Sequence, residues 1–273
     1  MPGIDVLRLA EILREAAQAE ILPRWRRLTP DMVRTKSNPA DLVTEADEAS
    51  ERLIRRLVAA ELPAATFIGE EGVAADPGLL EKLADADHAV VVDPVDGTGN
   101  FAAGLPLFAV MAAVVVKGEP VIGMIYDPFA DDVVMAERGG GAQARAFDGT
   151  TTRLHVASPA PLAEMIGAAS LSYLPRATRA AVYPNLAKLR TSSAYRCAGE
   201  EYRIFAAGHL HFLFHSKLMP WDHLAGTLIA TEAGAHVARL DGSPYWPGRT
   251  DDRLLVAVDR PSWDVLRREV FAL

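Results

Sequence analysis

Residues 89–101, AVVVDPVDGTGNF, constrain the fold of this chain more than any other stretch. Val90 to Val92 is a short apolar run of β-branched residues, which is typical of a buried strand. Pro94 is expected to end the pairing of that strand, because proline has no N–H to donate to a sheet. Asp93 and Asp96 then lie three residues apart on a tight turn. The sequence therefore predicts a sheet with two carboxylates at one strand end.

Two carboxylates at the mouth of an apolar strand repel each other unless a cation lies between them. Hard divalent ions prefer oxygen ligands of this kind. One alternative is an ordinary Asp-Pro and Asp-Gly turn with solvated side chains. Another is a dinucleotide-binding fingerprint, which Gly97, Gly99 and Ala102 match. That fold needs a long helix after the glycines, whereas the segment that follows is more typical of a strand.

The first half of the chain combines helices with a predicted antiparallel sheet. Helical periodicity covers residues 4–22 and 44–61, and Thr44 is positioned to cap the second helix. Five apolar β-rich runs follow up to residue 137, and the turns between the later ones favour an antiparallel meander. The run Gly139-Gly140-Gly141 is not followed by Gly-Lys-Ser/Thr, so it indicates a turn between strands rather than a phosphate loop.

The second half alternates between strand and helix patterns, which is typical of α/β architecture. Strands are expected over residues 165–172, 192–196, 209–215 and 254–258, and helices over residues 175–189, 199–208, 221–234 and 262–273. We place a boundary near residue 150. An N-terminal α+β half (residues 1–150) and a C-terminal α/β half (residues 151–273) are expected to pack as one compact body.

Composition excludes several classes of function. The 28 basic and 36 acidic residues give a net charge of −8, which argues against binding nucleic acid or an anionic membrane through bulk charge. The longest apolar stretch, residues 107–116, is half of the roughly 20 residues that a membrane-spanning helix needs. Charged residues within the first helix argue against a signal peptide. The single cysteine, Cys197, excludes a disulfide framework, so we expect a cytoplasmic protein.

Three further segments carry acidic residues that could serve a metal site. FIGEEG places Glu70 and Glu71 at the end of a strand, and MPWDHLAG places Asp222 in the first turn of a helix. In DLVTEAD, Asp47 follows Thr44 by three residues, a spacing that also fits a capping box. Taken singly, each segment has an ordinary structural explanation, as a solvated loop, a favourable helix dipole or a cap.

Together these segments resemble the inositol monophosphatase family of magnesium-dependent, lithium-sensitive phosphatases. DLVTEAD (41–47), GEEG (69–72), DPVDGTGNF (93–101) and PWDHLAG (220–226) occur in order across nearly the whole chain. The resemblance implies a layered α-β-α-β-α sandwich. It also implies a homodimer and hydrolysis of a small phosphate monoester, such as inositol monophosphate or a related polyol or sugar phosphate.

The resemblance also implies roles for residues of these motifs. Two or three Mg²⁺ ions would be held by Glu70, Asp93, the carbonyl of Val95, Asp96 and Asp222. Gly97 and Thr98 would bind the substrate phosphate. The catalytic residues would be Asp47, Thr98 and Glu70: the first two orient and deprotonate a metal-activated water for in-line attack, and Glu70, with Glu71 behind it, helps to place a weaker third ion.

Departures from the family pattern concern the substrate. His215 stands where the family commonly has an acidic residue, and Glu200 and Glu201 replace the usual small residues. These three are candidate substrate-pocket residues. Histidinol phosphate or a nucleotide 3′-phosphate are alternative substrates, and a regulatory binding protein that retains the scaffold is an alternative role.

Two remaining features have open interpretations. His209, His211 and His215 invite a zinc site, because a strand would place the last two on one face, although an ordinary half-buried strand explains them as well. Lys36, in the loop before DLVTEAD, would lie either near the metal site or in solvent.

Overall fold

The computed structural model describes residues 5–35, 42–246, 250 and 252–273. Its helices are α1 (Val6–Ala16), α2 (Glu45–Glu61), α3 (Glu70–Ala75), α4 (Gly78–Asp85), α5 (Thr98–Ala102), α6 (Arg176–Leu186), α7 (Ala198–Ala206), α8 (Pro220–Glu232) and α9 (Arg260–Glu269). Its strands are β1 (Val33–Thr35), β2 (Leu42–Thr44), β3 (Thr66–Gly69), β4 (His88–Asp96), β5 (Ala109–Val116), β6 (Glu119–Asp127), β7 (Asp132–Glu137), β8 (Gly141–Ala146), β9 (Thr151–Arg153), β10 (Ile166–Ser170), β11 (Thr191–Ser193), β12 (Phe212–His215), β13 (His236–Arg239) and β14 (Leu254–Ala257).

The first sheet has seven strands in the order β3-β4-β5-β6-β7-β8-β9. β3 is parallel to β4, and every later pair is antiparallel, which confirms the predicted meander. At the β5–β6 turn, Lys117 and Gly118 both have positive φ (50° and 80°), as a tight two-residue hairpin turn requires. β8 and β9 extend the sheet beyond the predicted strands. Their sequences, GAQARA and TTR, lack the apolar run that would have indicated them.

The second sheet has five strands in the order β11-β10-β12-β14-β13. β10 is parallel to both β11 and β12, while β14 is antiparallel to β12 and β13. The strand predicted over residues 192–196 is shifted to Thr191–Ser193, since the chain turns at Tyr195 and Arg196 instead of extending. β13 was not predicted, and it follows α8 at the sheet edge.

Three apolar cores separate five layers. Along β4, Val90 and Val92 face α1 and α2, whereas Val91 faces the opposite side, as the alternation of side chains in a strand dictates. That opposite side packs against α7 and α8, which in turn cover one face of the second sheet. The other face of the second sheet packs against α6 and α9 through Val182 and Trp263. The predicted layered α-β-α-β-α sandwich is confirmed.

Segments from both predicted halves meet at the first sheet and α8. The boundary predicted near residue 150 falls just before β9, which pairs with β8 at the edge of the first sheet. From the second half, α8 packs directly on β6: a Cβ added to Gly123 would lie 2.7 Å from the carbonyl oxygen of Ala225. Glycine at this position lets the helix approach the sheet closely. The division into two halves stays a prediction.

Candidate active site

The two aspartates of the DPVDGTGNF motif lie at the end of β4, where pairing with β5 is irregular. The register is regular up to Asp93, shifts, and resumes at Asp96. The expectation that Pro94 ends the pairing is therefore wrong, because a bulge-type irregularity absorbs the proline and the strand continues. Within it, the N–H of Val95 donates to Oδ1 of Asp93 at 3.0 Å. The bulge thus fixes the orientation of a buried carboxylate.

The third aspartate, Asp222, lies in the first turn of α8. Pro220 begins the helix, where its missing N–H costs nothing, and the side chain of Trp221 is buried beneath the turn. A carboxylate in a first turn is favoured by the helix dipole. The packing of α8 across the first sheet brings this turn to the end of β4.

Asp93, Asp96 and Asp222 form a compact cluster. One carboxylate oxygen from each residue belongs to a group of three oxygens that lie within 4.8 Å of one another. Burial, followed by the charge of Glu70, raises the pKa of Asp93 well above its ordinary value. Burial, followed by the charge of Asp222, raises the pKa of Asp96 to about 7. Buried acidic oxygens at this spacing need a cation or protons, and they fit a hard divalent ion such as Mg²⁺.

Glu70 lines the same cavity as the aspartate cluster and begins α3 rather than lying on a loop. The start of α3 is held by Glu51 of α2, a residue that the motifs do not indicate. Its carboxylate accepts the N–H of Glu71 at 2.7 Å and that of Gly72 at 2.9 Å. A Cβ at Gly69 would overlap the Glu51 carboxyl group, so this close approach requires glycine. Glu51 therefore positions the segment that carries Glu70.

Asp47 is fully buried, and its two carboxylate oxygens contact different residues. Its Oδ2 accepts the N–H of Thr44 at 2.8 Å, and Thr44 Oγ1 in turn accepts from the start of α2, which completes a capping box. Its Oδ1 lies 3.0 Å from Oγ1 of Thr98. The same hydroxyl lies 3.0 Å from the carbonyl oxygen of Val95. Thr98 thus links Asp47 to the end of β4.

Gly97 precedes α5 with φ at 87°, a conformation that strongly favours glycine. Gly97 and Thr98 line the cavity beside the aspartates. α5 has five residues and leads into β5, which is antiparallel to β4. The dinucleotide interpretation requires a parallel strand–helix–strand unit, so the structure excludes it here.

The cavity between these elements has a volume of about 300 Å³. It is lined by seven of the predicted metal and phosphate residues, namely Glu70, Asp93, Val95, Asp96, Gly97, Thr98 and Asp222. Glu201 and His215 line it as well. Asp47 does not, because it lies behind Thr98. Lys36 and Asp41 are outside the described residues.

Glu201 and His215 form part of the cavity wall opposite the motifs. Oε2 of Glu201 lies 3.8 Å from Nδ1 of His215, and Nε2 of His215 is buried without a hydrogen-bond partner among the described residues. Burial raises the pKa of Glu201 to about 8 and lowers that of His215 well below its ordinary value. Both shifts favour the uncharged form of the group concerned, which argues against an ion pair at this contact.

Glu200 is not among the residues that line this cavity, so the structure places it apart from Glu201, and its role in a substrate pocket stays a prediction. Its Oε1 lies 3.4 Å from Nε of Arg203, and Arg203 also contacts Asp132 at 2.5 Å. Burial raises the pKa of Glu200 to about 7. On α7, consecutive residues point in different directions, so only Glu201 of this pair reaches the cavity.

Three residues of the RCAGEEYR stretch that no motif indicates also line the cavity, namely Arg196, Cys197 and Ala198. Cys197 is buried, with its Sγ 3.1 Å from Oδ2 of Asp96. The N–H of Gly199 donates to the same oxygen at 2.5 Å. Arg196 lines the cavity and has φ at 59°. Their position in the sequence could have indicated this role, because they lie between a predicted strand and a predicted helix, where side chains reach the edge of a sheet.

The zinc interpretation of the histidines has no support in the described part of the chain. The cluster found there that could hold a metal consists of the three aspartates. His211 accepts the N–H of Ile166 at its Nδ1, with a distance of 3.1 Å, and His209 is exposed. Within the described residues, no helix combines the length and apolar character needed to cross a membrane.

Comparisons with known proteins agree with this geometry. A sequence model described as the inositol monophosphatase family matches residues 5–268. Inositol-1-monophosphatase of Bacillus subtilis (strain 168) is 30% identical over 237 residues, which cover 83% of this chain and 86% of the relative. Nus factor SuhB of Escherichia coli (strain K12) is 34% identical over 220 residues, 78% of each chain. The solved structure of a Thermotoga maritima IMPase superposes with a TM-score of 0.81 at 25% identity, covering 96% of this chain and 95% of the other.

Proposed function

Because the chain belongs to the inositol monophosphatase family, we propose that it is a Mg²⁺-dependent enzyme that hydrolyses a small phosphate monoester. The observation that carries this proposal is the cluster of Asp93, Asp96 and Asp222, whose carboxylate oxygens lie within 4.8 Å of one another on the cavity wall. An acidic site of this kind binds a phosphate dianion only when cations reverse its charge.

The donor set favours two or three Mg²⁺ ions held by Glu70, Asp93, the Val95 carbonyl, Asp96 and Asp222. When bound, the ions would neutralise charge on the phosphate oxygens and make water easier to deprotonate. Backbone N–H groups at Gly97 and Thr98 would hold a phosphate oxygen. Glu70 owes its position to the contacts of Glu51 with the start of α3.

Thr98 and Asp47 would activate the attacking water. The Thr98 hydroxyl lies 3.0 Å from Oδ1 of Asp47, so it donates its own proton there while its lone pairs accept a proton from water. The water oxygen then bonds to phosphorus as the bond to the alcohol oxygen breaks, in line with the attack. The alcohol leaves with a proton from solvent, and no covalent bond to the protein forms.

The substrate class we favour is inositol monophosphate or a related polyol or sugar phosphate. His215 and Glu201 support a pocket that differs from the usual family pattern, so histidinol phosphate and nucleotide 3′-phosphates stay alternatives. A cavity of about 300 Å³ suits a small phosphate ester. We further propose that the protein is cytoplasmic and forms a homodimer. Light scattering would test the homodimer, which should have twice the mass of the 29.4 kDa chain.

A panel of phosphate monoesters tests the function. Inositol 1-phosphate, histidinol phosphate, a nucleotide 3′-phosphate and fructose bisphosphate are each incubated with Mg²⁺, with EDTA and with Mg²⁺ plus Li⁺. We expect phosphate release from at least one substrate with Mg²⁺, none with EDTA, and inhibition by Li⁺. A folded protein that hydrolyses no member of the panel at saturating Mg²⁺ would contradict the proposal.

A second candidate is a regulatory or binding role on the same scaffold. It is favoured by the relatives named Nus factor SuhB, one of which is 34% identical over 78% of the chain. The complete acidic set at the cavity supports the enzyme instead. A stable complex with a protein partner, together with no hydrolysis across the panel, would favour the binding role.

A further inference from the structure

Arg196 lies on the cavity wall in a backbone conformation that arginine rarely adopts. Its φ is 59°, in the left-handed region where a side chain is unfavourable. Such a conformation persists only where the surroundings hold it, and it is concentrated at functional sites. We therefore ask which contacts hold Arg196 in this conformation and where they place its side chain.

The turn at Tyr195 and Arg196 is held from two helices. Oε1 of Glu201, on α7, accepts the N–H of Tyr195 at 2.9 Å. Nδ2 of Asn100, on α5, donates to the carbonyl oxygens of Tyr195 at 2.8 Å and Leu107 at 3.0 Å. The turn is thus fixed relative to the phosphate-binding segment that precedes Asn100.

The guanidinium group of Arg196 occupies space that a side chain at position 99 would fill. A Cβ built on Gly99 would lie 2.6 Å from Nη2 of Arg196. Gly99 directly follows Gly97 and Thr98, and all three line the cavity with Arg196. Across residues 5–35, 42–246 and 252–273, no carboxylate forms an ion pair with this guanidinium. A cation therefore faces the segment proposed to hold the substrate phosphate.

We propose that Arg196 binds an oxygen of the substrate phosphate, with Glu201 and Gly99 as its positioning residues. Glu201 holds the turn, and Gly99 leaves the space for the guanidinium group. A guanidinium donates two parallel hydrogen bonds to a phosphate, and it adds positive charge to a strongly acidic site. This assignment rests on the proposed function, because that function places phosphate at Gly97 and Thr98. It also gives Glu201, which is part of the cavity wall, a positioning role rather than direct contact with substrate.

Binding of inorganic phosphate in the presence of Mg²⁺, measured by calorimetry, tests the assignment without turnover. Arg196→Gln is expected to raise the dissociation constant about tenfold, which is typical for loss of a charged hydrogen bond. Arg196→Lys keeps the positive charge but lacks the planar guanidinium group, so its dissociation constant for phosphate is expected to lie between those of wild type and Arg196→Gln. Arg176→Gln, which removes the same charge from the exposed start of α6, is the matched control and should bind as wild type.

Gly99→Ala probes the space that the arginine uses. The added methyl group should displace the guanidinium and weaken phosphate binding in the wild-type background. In the Arg196→Gln background it should have no further effect, because the displaced group is already gone. Melting temperature and molecular mass are measured for every variant, so that unfolding or a change of assembly is recognised.

Phosphate binding by Arg196→Gln at the wild-type dissociation constant would overturn the assignment. So would additive effects of the two substitutions, or wild-type protein that binds no phosphate with Mg²⁺ present. The proposed function fails separately: if wild-type protein binds phosphate through Arg196 but hydrolyses no phosphate monoester, the assignment stands and the enzymatic function does not.

Discussion

The hydroxyl of Thr98 lies 3.0 Å from Oδ1 of Asp47, although 51 residues separate the two along the chain. The other oxygen of Asp47 accepts the N–H of Thr44 at 2.8 Å and completes the cap of α2. From sequence, a helix cap and a catalytic carboxylate are alternative roles for Asp47. In the structure one oxygen serves the cap, and the other is turned toward the cavity through Thr98.

Replacing the Thr98 hydroxyl should lower turnover with little effect on the fold. We expect Thr98→Ala to reduce kcat by about 10²- to 10⁴-fold, the range for loss of a general acid–base group, with a smaller change in KM. Thr98→Ser keeps the hydroxyl and should retain most activity. Steady-state kinetics on the best substrate of the panel provide the measurement, and an alanine variant as active as the serine variant would show that the hydroxyl is not used.

Glu51 should control the metal site without touching the metal. In Glu51→Gln one carboxylate acceptor becomes an amide donor, so an N–H at the start of α3 loses its partner, at a cost of about 1–3 kcal/mol. Because α3 begins at Glu70, the Mg²⁺ concentration for half-maximal activity should rise while kcat at saturating Mg²⁺ changes little.

The matched control for Glu51 is Glu61→Gln at the end of the same helix. Glu61 pairs with Arg8 at 2.8 Å on the surface, and such pairs contribute little stability. The Glu61→Gln variant should therefore leave the Mg²⁺ dependence of activity unchanged. Equal Mg²⁺ dependence in Glu51→Gln and Glu61→Gln would show that the contacts of Glu51 do not position Glu70.

Stability without metal should decrease as the pH rises. Burial raises the pKa of Glu200 to about 7 and that of Glu201 to about 8 from an ordinary value of 4.5. At these two groups the folded state binds more protons than the unfolded state, so their contribution to the free energy of unfolding falls as the pH rises from 4.5 to about 8. Below pH 4.5 the contribution of both groups is fully present.

Denaturant unfolding in EDTA across this pH window measures the effect. Glu201→Gln removes one titrating group and should flatten the slope of stability against pH. Glu81→Gln, an exposed site on α4, should leave the slope as in wild type. Burial lowers the pKa of His215 and of His223, so these two groups add stability as the pH rises toward 6.5. The decisive window therefore lies above that value, and a wild-type stability that stays constant or rises between pH 6.5 and 8 would contradict the prediction.

Much of the fold followed from local pattern. Buried strands such as Val90 to Val92 carry continuous apolar residues, and α2 has both periodicity and a capping residue, Thr44, so pattern alone located them. The turn residues between β5, β6 and β7 also determined their antiparallel pairing. β8 could not be predicted, because its half-buried sequence GAQARA lacks alternation and its pairing with β7 is a tertiary contact.

The candidate site was predictable where motif and local structure coincide, as at Asp93, Asp96 and Asp222. It was not predictable where a residue acts through distant backbone groups. Glu51 is a charged residue, so the helix pattern of α2 does not predict that it is buried. The two N–H groups that it accepts, at the start of α3, lie 20 and 21 residues away along the chain. The left-handed turn at Arg196 could not be predicted, because its sequence contains no glycine or asparagine at the position with positive φ. The turn is held by hydrogen bonds from Glu201 and Asn100, which are tertiary contacts.

Phosphate release by Asp93→Asn, followed as Mg²⁺ is titrated, tests the central claim most directly. The account predicts that turnover falls by about 10³-fold at saturating Mg²⁺, because the amide cannot supply a charged ligand. In EDTA the variant should melt at or above the wild-type temperature, since a buried, repelled carboxylate is gone, and Mg²⁺ should no longer raise that temperature. Wild-type turnover by Asp93→Asn at saturating Mg²⁺ would contradict the account.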